Sequence, residues 1–407
     1  MTANVALLRT AADFRHGIVL PPEEVESSRA DVGGLTNLGV PGNAANPWAG
    51  ATGGIGRTRA AAEAAAIGEA LERYAAAIFA LPTRRRSELP CQNRLDADAF
   101  SLYSPEQRGH HAFPHRALYE NDVRYTNVFS VTDNAETWIP APLVGLGIDE
   151  GGVATSTGLA AGPSPSSALL RAVQELIERD ALAVTWLHGA RGRRVDFGPA
   201  YVESIARLGG EAVCIDATPV YSPHPVALVA GHLPLRGTPR VALGAACRET
   251  WAAAVEKAFL EWVQGITFAG FQLEVAQRPA PKRAQQLKTF DDHALYYTDH
   301  FDEWTRVPLL HGHRIERSCE REAASLSQLV ETLMRHEIRI LYRELTTTDL
   351  ADVGICVVRA LSPELAPLAC DEEWRFLGGT VTNVARRYPW AVATELSFPS
   401  AYPHPLG

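Results

Sequence analysis

One short pattern occurs twice in this chain: Glu69-Ala-Leu-Glu72-Arg73-Tyr-Ala and Glu175-Leu-Ile-Glu178-Arg179-Asp-Ala. Each copy is a pair of carboxylates three apart with an arginine behind it. Residues three apart on an α-helix project about 60° from one another, so each pair presents both carboxylates on one side, about a turn apart. Two such pairs facing each other make an oxygen-rich site for a hard cation.

Both copies sit in segments with helical periodicity. The first segment, Arg59 to Ala80, is alanine-heavy, and its larger apolar residues Ile67, Leu71, Tyr74 and Ile78 form one stripe. Glu69 and Glu72 fall opposite that stripe, flanked by Ala65 and Ala76 rather than by further charges, which fits a cleft wall better than a solvated face. In the second segment Ser164-Pro165 supplies N-cap and first-turn chemistry, and Leu169, Val173, Leu176, Val184 and Leu187 carry the stripe to about His188. A third helix is predicted from about Thr250 to Gly265, with Glu261 and Gln264 as another polar pair three apart. Helices are also predicted over Ala323 to Glu337 and just before Pro389. β-Branched runs at Ala212 to Ile215, Val226 to Ala230, Val241 to Ala245, Ile338 to Tyr342 and Ile355 to Val358 read as buried strands. Residues up to about Gly56 are glycine- and asparagine-rich (Gly33, Gly34, Gly42, Asn43, Gly50) and read as loops with short strands. Interleaving without strict βαβ regularity predicts an α+β fold with several mixed sheets, and no clean linker divides the chain.

With 407 residues, 46% hydrophobic and 21% charged, the chain has ample material for a large core. Its net charge of -9 gives no general attraction for nucleic acid or an anionic membrane, so neither is an expected partner. The cysteines Cys91, Cys214, Cys247, Cys319, Cys356 and Cys370 are scattered, without zinc-ligand spacing, which favours a reduced cytoplasmic chain. No signal peptide opens the sequence, and no apolar run approaches the ~18 residues that span a bilayer.

Four glutamates without a partnering histidine favour magnesium over iron or zinc. A di-iron helix bundle wants Glu-x-x-His, which neither helix has. Arg73 and Arg179, each directly after a glutamate, are placed to fork onto phosphate oxygens beside such an ion. The competing reading is a pair of exposed helix faces laced by surface ion pairs. Gly53-Gly54-Ile55-Gly56 and Ser156-Thr157-Gly158-Leu-Ala-Ala-Gly162 lead into the two helices and read as glycine turns able to wrap phosphates. His110-His111 and His311-Gly-His313 read as surface loops, and no Gly-x-Ser-x-Gly elbow appears. The tail from Ser397 to Gly407 is stiffened by Pro399, Pro403 and Pro405 and reads as a segment held in a fixed place.

Taken together, these segments resemble the YcaO family of ATP-dependent enzymes that modify backbone amides in ribosomally made peptides. The resemblance rests on Gly68-Glu69-Ala-Leu-Glu72-Arg73-Tyr74, Ser156 to Gly162, Gln174 to Ala181, Ala254 to Gln264, Asp349 to Arg359 and the proline-rich terminus. It implies a single YcaO-type domain over 1–407, with a lead-in at 1–56 and a tail at 390–407 that enters the active site. It also implies ATP and Mg2+ as cofactors, with Glu69, Glu72, Glu175 and Glu178 on the metal and Arg73, Arg179, Glu261 and Gln264 near the nucleotide. In azoline-forming members a Cys, Ser or Thr side chain attacks the preceding amide, whose oxygen leaves as phosphate. There the terminal prolines place the C-terminal carboxylate near the reacting amide, which assigns Pro403, Pro405 and Gly407 to catalysis.

The sequence departs from the family pattern at Ile55 (often lysine), Ala65 (often serine), Pro163 and Ser167, positions that normally help bind nucleotide. Three readings follow: a cyclodehydratase making thiazolines or oxazolines in a precursor peptide, a thioamide- or amidine-forming enzyme, or a member acting as a non-catalytic scaffold. The expected partners are the precursor peptide and a separate ocin-ThiF-like protein that binds its leader, because family-like sequence begins almost at once. A homodimer is implied by the resemblance alone.

Overall fold

The computed structural model describes residues 2–25, 35–42, 52–146, 153, 155–317, 323–391 and 398–407. Gly33, Gly34, Asn43, Gly50, Cys319 and Ser397 lie outside them. The chain opens with α1 (Thr2–Ala11), then β1 (Glu23–Glu24), β2 (Thr36–Val40) and β3 (Thr52–Gly56), which lead into α2 (Arg59–Ile78). Next come β4 (Thr83–Arg85), α3 (Pro105–Gly109), β5 (Arg124–Ser130), β6 (Glu136–Pro140), β7 (Leu159–Gly162) and α4 (Pro165–Leu187). A third run holds β8 (Arg193–Val195), α5 (Pro199–Arg207), β9 (Glu211–Asp216), β10 (Val226–Leu235), β11 (Thr238–Cys247) and α6 (Trp251–Glu274). The remainder comprises α7 (Phe290–Asp299), α8 (Phe301–Trp304), α9 (Leu326–Arg335), β12 (Leu341–Glu344), α10 (Thr348–Asp352), β13 (Cys356–Leu361) and α11 (Val384–Arg387).

Among the described residues the strands form three antiparallel sheets, β1-β2-β3, β11-β10-β9-β8 and β4-β5-β12-β13-β7, with β6 on the free side of β5. This is the mixed α+β architecture expected. The β10–β11 hairpin turns on Arg236 and Gly237, both at positive φ, the two-residue geometry whose twist matches the flanking strands. Its nearly unbroken apolar sequence follows from burial on both faces. Val226, Leu228 and Ala230 face the core under α4, while Ala227 and Val229 face the core under α6.

α2 and α4 match their expected bounds because their caps are explicit. Thr58 accepts from the Ala61 N–H, and Ser164 and Ser167 close a capping box behind Pro165. α1 corrects the loop reading of the lead-in. Its short sequence has little helical signal of its own, and it is held by packing on α2 and by Arg9, which donates to Glu63 at 2.6 Å. Ile78, expected in the buried stripe of α2, is 37% exposed at the last turn, where the core ends.

Gly53-Gly54-Ile55-Gly56 is a strand rather than a phosphate-wrapping turn. Its glycines let β3 lie directly on the helix that follows: a Cβ on Gly54 would fall 2.3 Å from the Ala62 carbonyl oxygen. Ile55 is 5% exposed and packs with Trp262 and Val263, so this side chain serves the core. Gly54→Ala is therefore expected to cost about 1–3 kcal/mol by overpacking, measurable by urea unfolding; a stability change near zero would contradict this packing.

Candidate active site

Three strand-helix units converge, and each fixes a glutamate in the same way. The Gly53 N–H at β3 donates to Glu69 Oε2 at 3.2 Å, and the Gly158 N–H before β7 donates to Glu175 Oε2 at 3.1 Å. The Ala245 N–H on β11 is 3.4 Å from Glu261 Oε2 on α6. One turn further along the three helices stand Glu72, Glu178 and Gln264. Glu178 Oε2 accepts from the Cys247 N–H at 3.1 Å, which ties the second unit to the third. Gln264 closes the circuit: a Cβ on Gly53 would meet its Nε2 at 2.5 Å. The two similar units expected from sequence are thus three, the third carrying Gln264 and Gly265 where the others carry a glutamate and an arginine.

Each arginine forks across its own pair. Arg73 reaches Glu69 Oε1 at 3.1 Å and Glu72 Oε1 at 3.0 Å, and Arg179 reaches Glu175 Oε1 at 3.4 Å and Glu178 Oε1 at 2.5 Å. Neither pair lies on an outward solvated face: side-chain exposure is 14% for Glu72 and 6% for Glu178, rising to 36% for Glu69 at the open side. The surface ion-pair reading fails on that ground.

Burial sets the electrostatics. It pushes the Glu72 carboxyl well above the usual range, Arg73 opposes this, and Glu175 and Glu69 add to it. Burial likewise lifts Glu178 to about 8, against Arg179 and with help from Glu261. Burial also penalises Glu261, but the Lys257 ammonium 3.0 Å away and Arg179 outweigh it and hold that carboxyl low. Carboxylates that resist ionising together are relieved by a cation.

Among the described residues no three His, Cys, Asp or Glu side chains come together as a metal cage. The arginines already occupy the Oε1 oxygens of all four glutamates. The donor set fits magnesium, which commonly keeps its waters and takes one or two carboxylates plus phosphate oxygens.

Sequence reasoning missed Arg359 on β13, which is 3% exposed and has Glu175 and Glu72 as its anionic neighbours. It also missed Lys257, although its place one turn before Glu261 was a usable signal. His110, His111, His311 and His313 are all exposed, in keeping with their surface reading. Ser167, one of the departures from the family pattern, is occupied by the α4 cap.

The tail is pinned through its backbone carbonyls. Trp186 Nε1 donates to the Tyr402 oxygen at 2.7 Å, the Tyr297 hydroxyl to that of Pro403 at 2.6 Å, and Arg375 to that of Ser400 at 2.6 Å. The His404 ring, fully enclosed, stacks on His293 at 4.0 Å, and burial, His293 and Arg179 all disfavour its protonation. Gly407 ends against Ala294 on α7 and Phe268 on α6, one turn beyond Gln264. The tail thus runs from the C-terminal half of α4 toward α6, and Pro403 and Pro405 lie on that path. No helix among the described residues is long and apolar enough to cross a membrane.

The chain shares its fold with several solved structures. A heterocyclase in complex with substrate and cofactor matches at 18% identity and a TM-score of 0.73, over 96% of this chain and 57% of that one. The present chain therefore spans little more than half the length of that heterocyclase. YcaO from Methanopyrus kandleri, bound with AMPPCP and Mg2+, matches at 17% identity and a TM-score of 0.61, over 98% of this chain and 93% of that one. The E. coli microcin synthetase McbBCD complex matches at 15% identity and a TM-score of 0.61, over 84% and 86% of the respective chains. No curated protein matches the sequence. A family model described as YcaO cyclodehydratase, ATP- and Mg2+-binding, matches residues 53–366, a span holding all three glutamate-bearing units, and the chain belongs to the YcaO family.

Proposed function

We propose that this protein is an ATP-dependent peptide cyclodehydratase: a Cys, Ser or Thr side chain of a precursor peptide bonds to the preceding amide carbon, and the amide oxygen leaves as phosphate to give a thiazoline or oxazoline. The observation that carries the reading is that the units bearing Glu69, Glu72, Glu175, Glu178 and Glu261, with two forked arginines, are joined to one another through the Cys247–Glu178 bond and the Gln264–Gly53 contact. ATP supplies the phosphoryl group that turns a poor leaving group into a good one, and magnesium neutralises its phosphates. Glu69, Glu72, Glu175 and Glu178 are the residues to hold the ion, through one or two carboxylates at a time. Arg73 and Arg179 can turn part of their hydrogen-bonding capacity from the glutamates to phosphate oxygens. Gln264, wedged on Gly53, and Glu261 form the third wall of the nucleotide site. Pro403 and Pro405 stiffen the tail so that Gly407 is delivered beside α6, where its carboxylate can take a proton from the attacking side chain.

Incubation with ATP, Mg2+ and the cognate precursor peptide is expected to give one water lost per ring and phosphate release in step. A separate ocin-ThiF-like protein is proposed to present the leader, so the assay includes it; a homodimer is tested in the same preparation by light scattering. Absence of water loss with every partner combination removes the proposal. Removing Leu406 and Gly407 is expected to lower turnover by about 10²–10⁴-fold while leaving Mg·ATP affinity unchanged; loss of nucleotide binding in that variant would place the tail elsewhere.

The second reading, a scaffold that binds a partner without hydrolysing ATP, is favoured by Ile55 lying in the core and Ser167 serving a helix cap. Calorimetry and phosphate release together separate the two: saturable heat with Mg·ATP counts against the scaffold, and peptide-dependent phosphate release rules it out. A thioamide or amidine product shares the same activation step and is distinguished by the product's mass.

A further inference from the structure

We propose that Trp186, His293 and Tyr297 are positioning residues, a set of buried groups that read the backbone carbonyls of the C-terminal segment. They seat it as an intramolecular ligand, which docks and releases while the rest of the fold stays closed. The proposal rests on the reading in which Gly407 acts beside α6, and it names the residues that hold the terminus there. Its support is geometric. Three consecutive carbonyls of the tail each meet a different side chain. That of Tyr402 accepts from Trp186 Nε1 at 2.7 Å, that of Pro403 accepts from the Tyr297 hydroxyl at 2.6 Å, and that of His404 lies 2.7 Å from His293 Nδ1. Trp186 is 5% exposed, Tyr297 1% and His293 not at all. Just upstream, Ser400 is clamped through both backbone groups: its N–H donates to the Leu187 carbonyl at 2.7 Å and its carbonyl accepts from Arg375 at 2.6 Å.

Seat and segment are complementary in hydrogen-bonding sense. The seat offers N–H and O–H groups from α4 and α7, and the segment answers with oxygens. Proline has no N–H, so Pro403 and Pro405 bring into this buried path no donor that the seat would have to satisfy. Trp186 Nε1 and the Tyr297 hydroxyl donate to no other group among the described residues. A donor buried in this way without its acceptor costs free energy, so these two are built for the tail.

The seat is also built to let go. His293 Nε2 lies 2.9 Å from the Cys370 carbonyl, and burial disfavours the charged ring, so its one hydrogen serves either the tail or the body. Release of the tail therefore leaves His293 with a partner. Trp186, Arg375 and His404 line a small cavity together with Glu372 and Phe376, so the segment is not packed solid along its length.

The test is the release of Gly407 and Leu406 from the whole chain by a carboxypeptidase, followed by mass spectrometry at several urea concentrations below the unfolding transition. The wild-type rate is expected to be the same at all of them, because local undocking exposes little new surface. A rate that climbs in step with global unfolding overturns the proposal. Tyr297→Phe keeps the ring against Tyr296 and Trp304 but removes the hydroxyl, and it is expected to release about tenfold faster, the scale of one unsatisfied buried carbonyl. Tyr296→Phe removes a hydroxyl of the same helix that bonds Glu303 instead of the tail, and it is expected to stay within about twofold of wild type. Equal release from the two variants overturns the proposal. If Tyr297→Phe is not folded by circular dichroism, Trp186→Phe takes its place with the same expectation. Turnover of the variant is expected to fall about tenfold at unchanged Mg·ATP affinity, and joint loss of both overturns the positioning role. The release rates need no substrate, so failure of the seat and failure of the cyclodehydratase reading are separate results.

Discussion

Asp180→Ala is expected to destabilise the chain by about 3–5 kcal/mol, the usual cost of stripping one partner from a buried ion pair. Asp180 directly follows Arg179 and is wholly buried. It accepts from the Tyr221 and Tyr388 hydroxyls at 2.6 Å each, from Arg387 at 2.9 Å and from the Ala366 N–H at 2.8 Å. Alanine leaves four donors without their acceptor, among them the guanidinium of Arg387, itself only 7% exposed. These donors come from the β9–β10 connection, from the segment after β13 and from the end of α11, so Asp180 ties three separate segments to α4. Urea unfolding of the two proteins measures the difference; a change below about 1 kcal/mol would mean that Asp180 does not carry this junction.

Glu178→Gln is expected to lower ATP turnover by about 10²–10³-fold, the scale on which removal of one preorganised electrostatic group acts. The amide keeps the size of the side chain but not the charge that faces Arg179 and Glu261. Stability distinguishes this loss from misfolding. Burial raises the folded pKa of Glu178 to about 8, above the ordinary carboxyl value of 4.5. The folded state then binds the extra proton, so in the absence of divalent ions this group's contribution to stability falls as pH rises from about 4.5 to 8. Glutamine cannot ionise, so the variant is expected to be as stable as wild type at low pH and more stable near pH 8. Parallel melting curves in chelator check the sign, and a variant less stable than wild type at pH 8 would refute it.

Much of this was legible in the sequence because it is local. An apolar stripe, a capping serine and glutamates three apart specify α2 and α4, and they also show which side of each helix carries the charge. The sequence pattern predicts that α6 ends at Gly265, yet it runs to Glu274. That glycine marks close packing rather than a stop: a Cβ there would lie 2.9 Å from Ala242 on β11. β12 begins at Leu341, later than its β-branched run predicts, because Ile338 closes the turn after α9 by bonding back to the Leu333 carbonyl. What could not be read is whatever pairs distant elements. The N–H groups of Gly53, Gly158 and Ala245 have no side-chain signature, and Arg359 reaches the Thr155 and Leu143 carbonyls only through the fold.

The substitution of Gln264 and Gly265 for a glutamate and an arginine in the third unit removes any rotational equivalence from the recess. Two walls carry guanidinium groups forked over paired glutamates, whereas the third carries a neutral amide beside the Lys257–Glu261 pair, so the nucleotide proposed above has one seating rather than three equivalent ones.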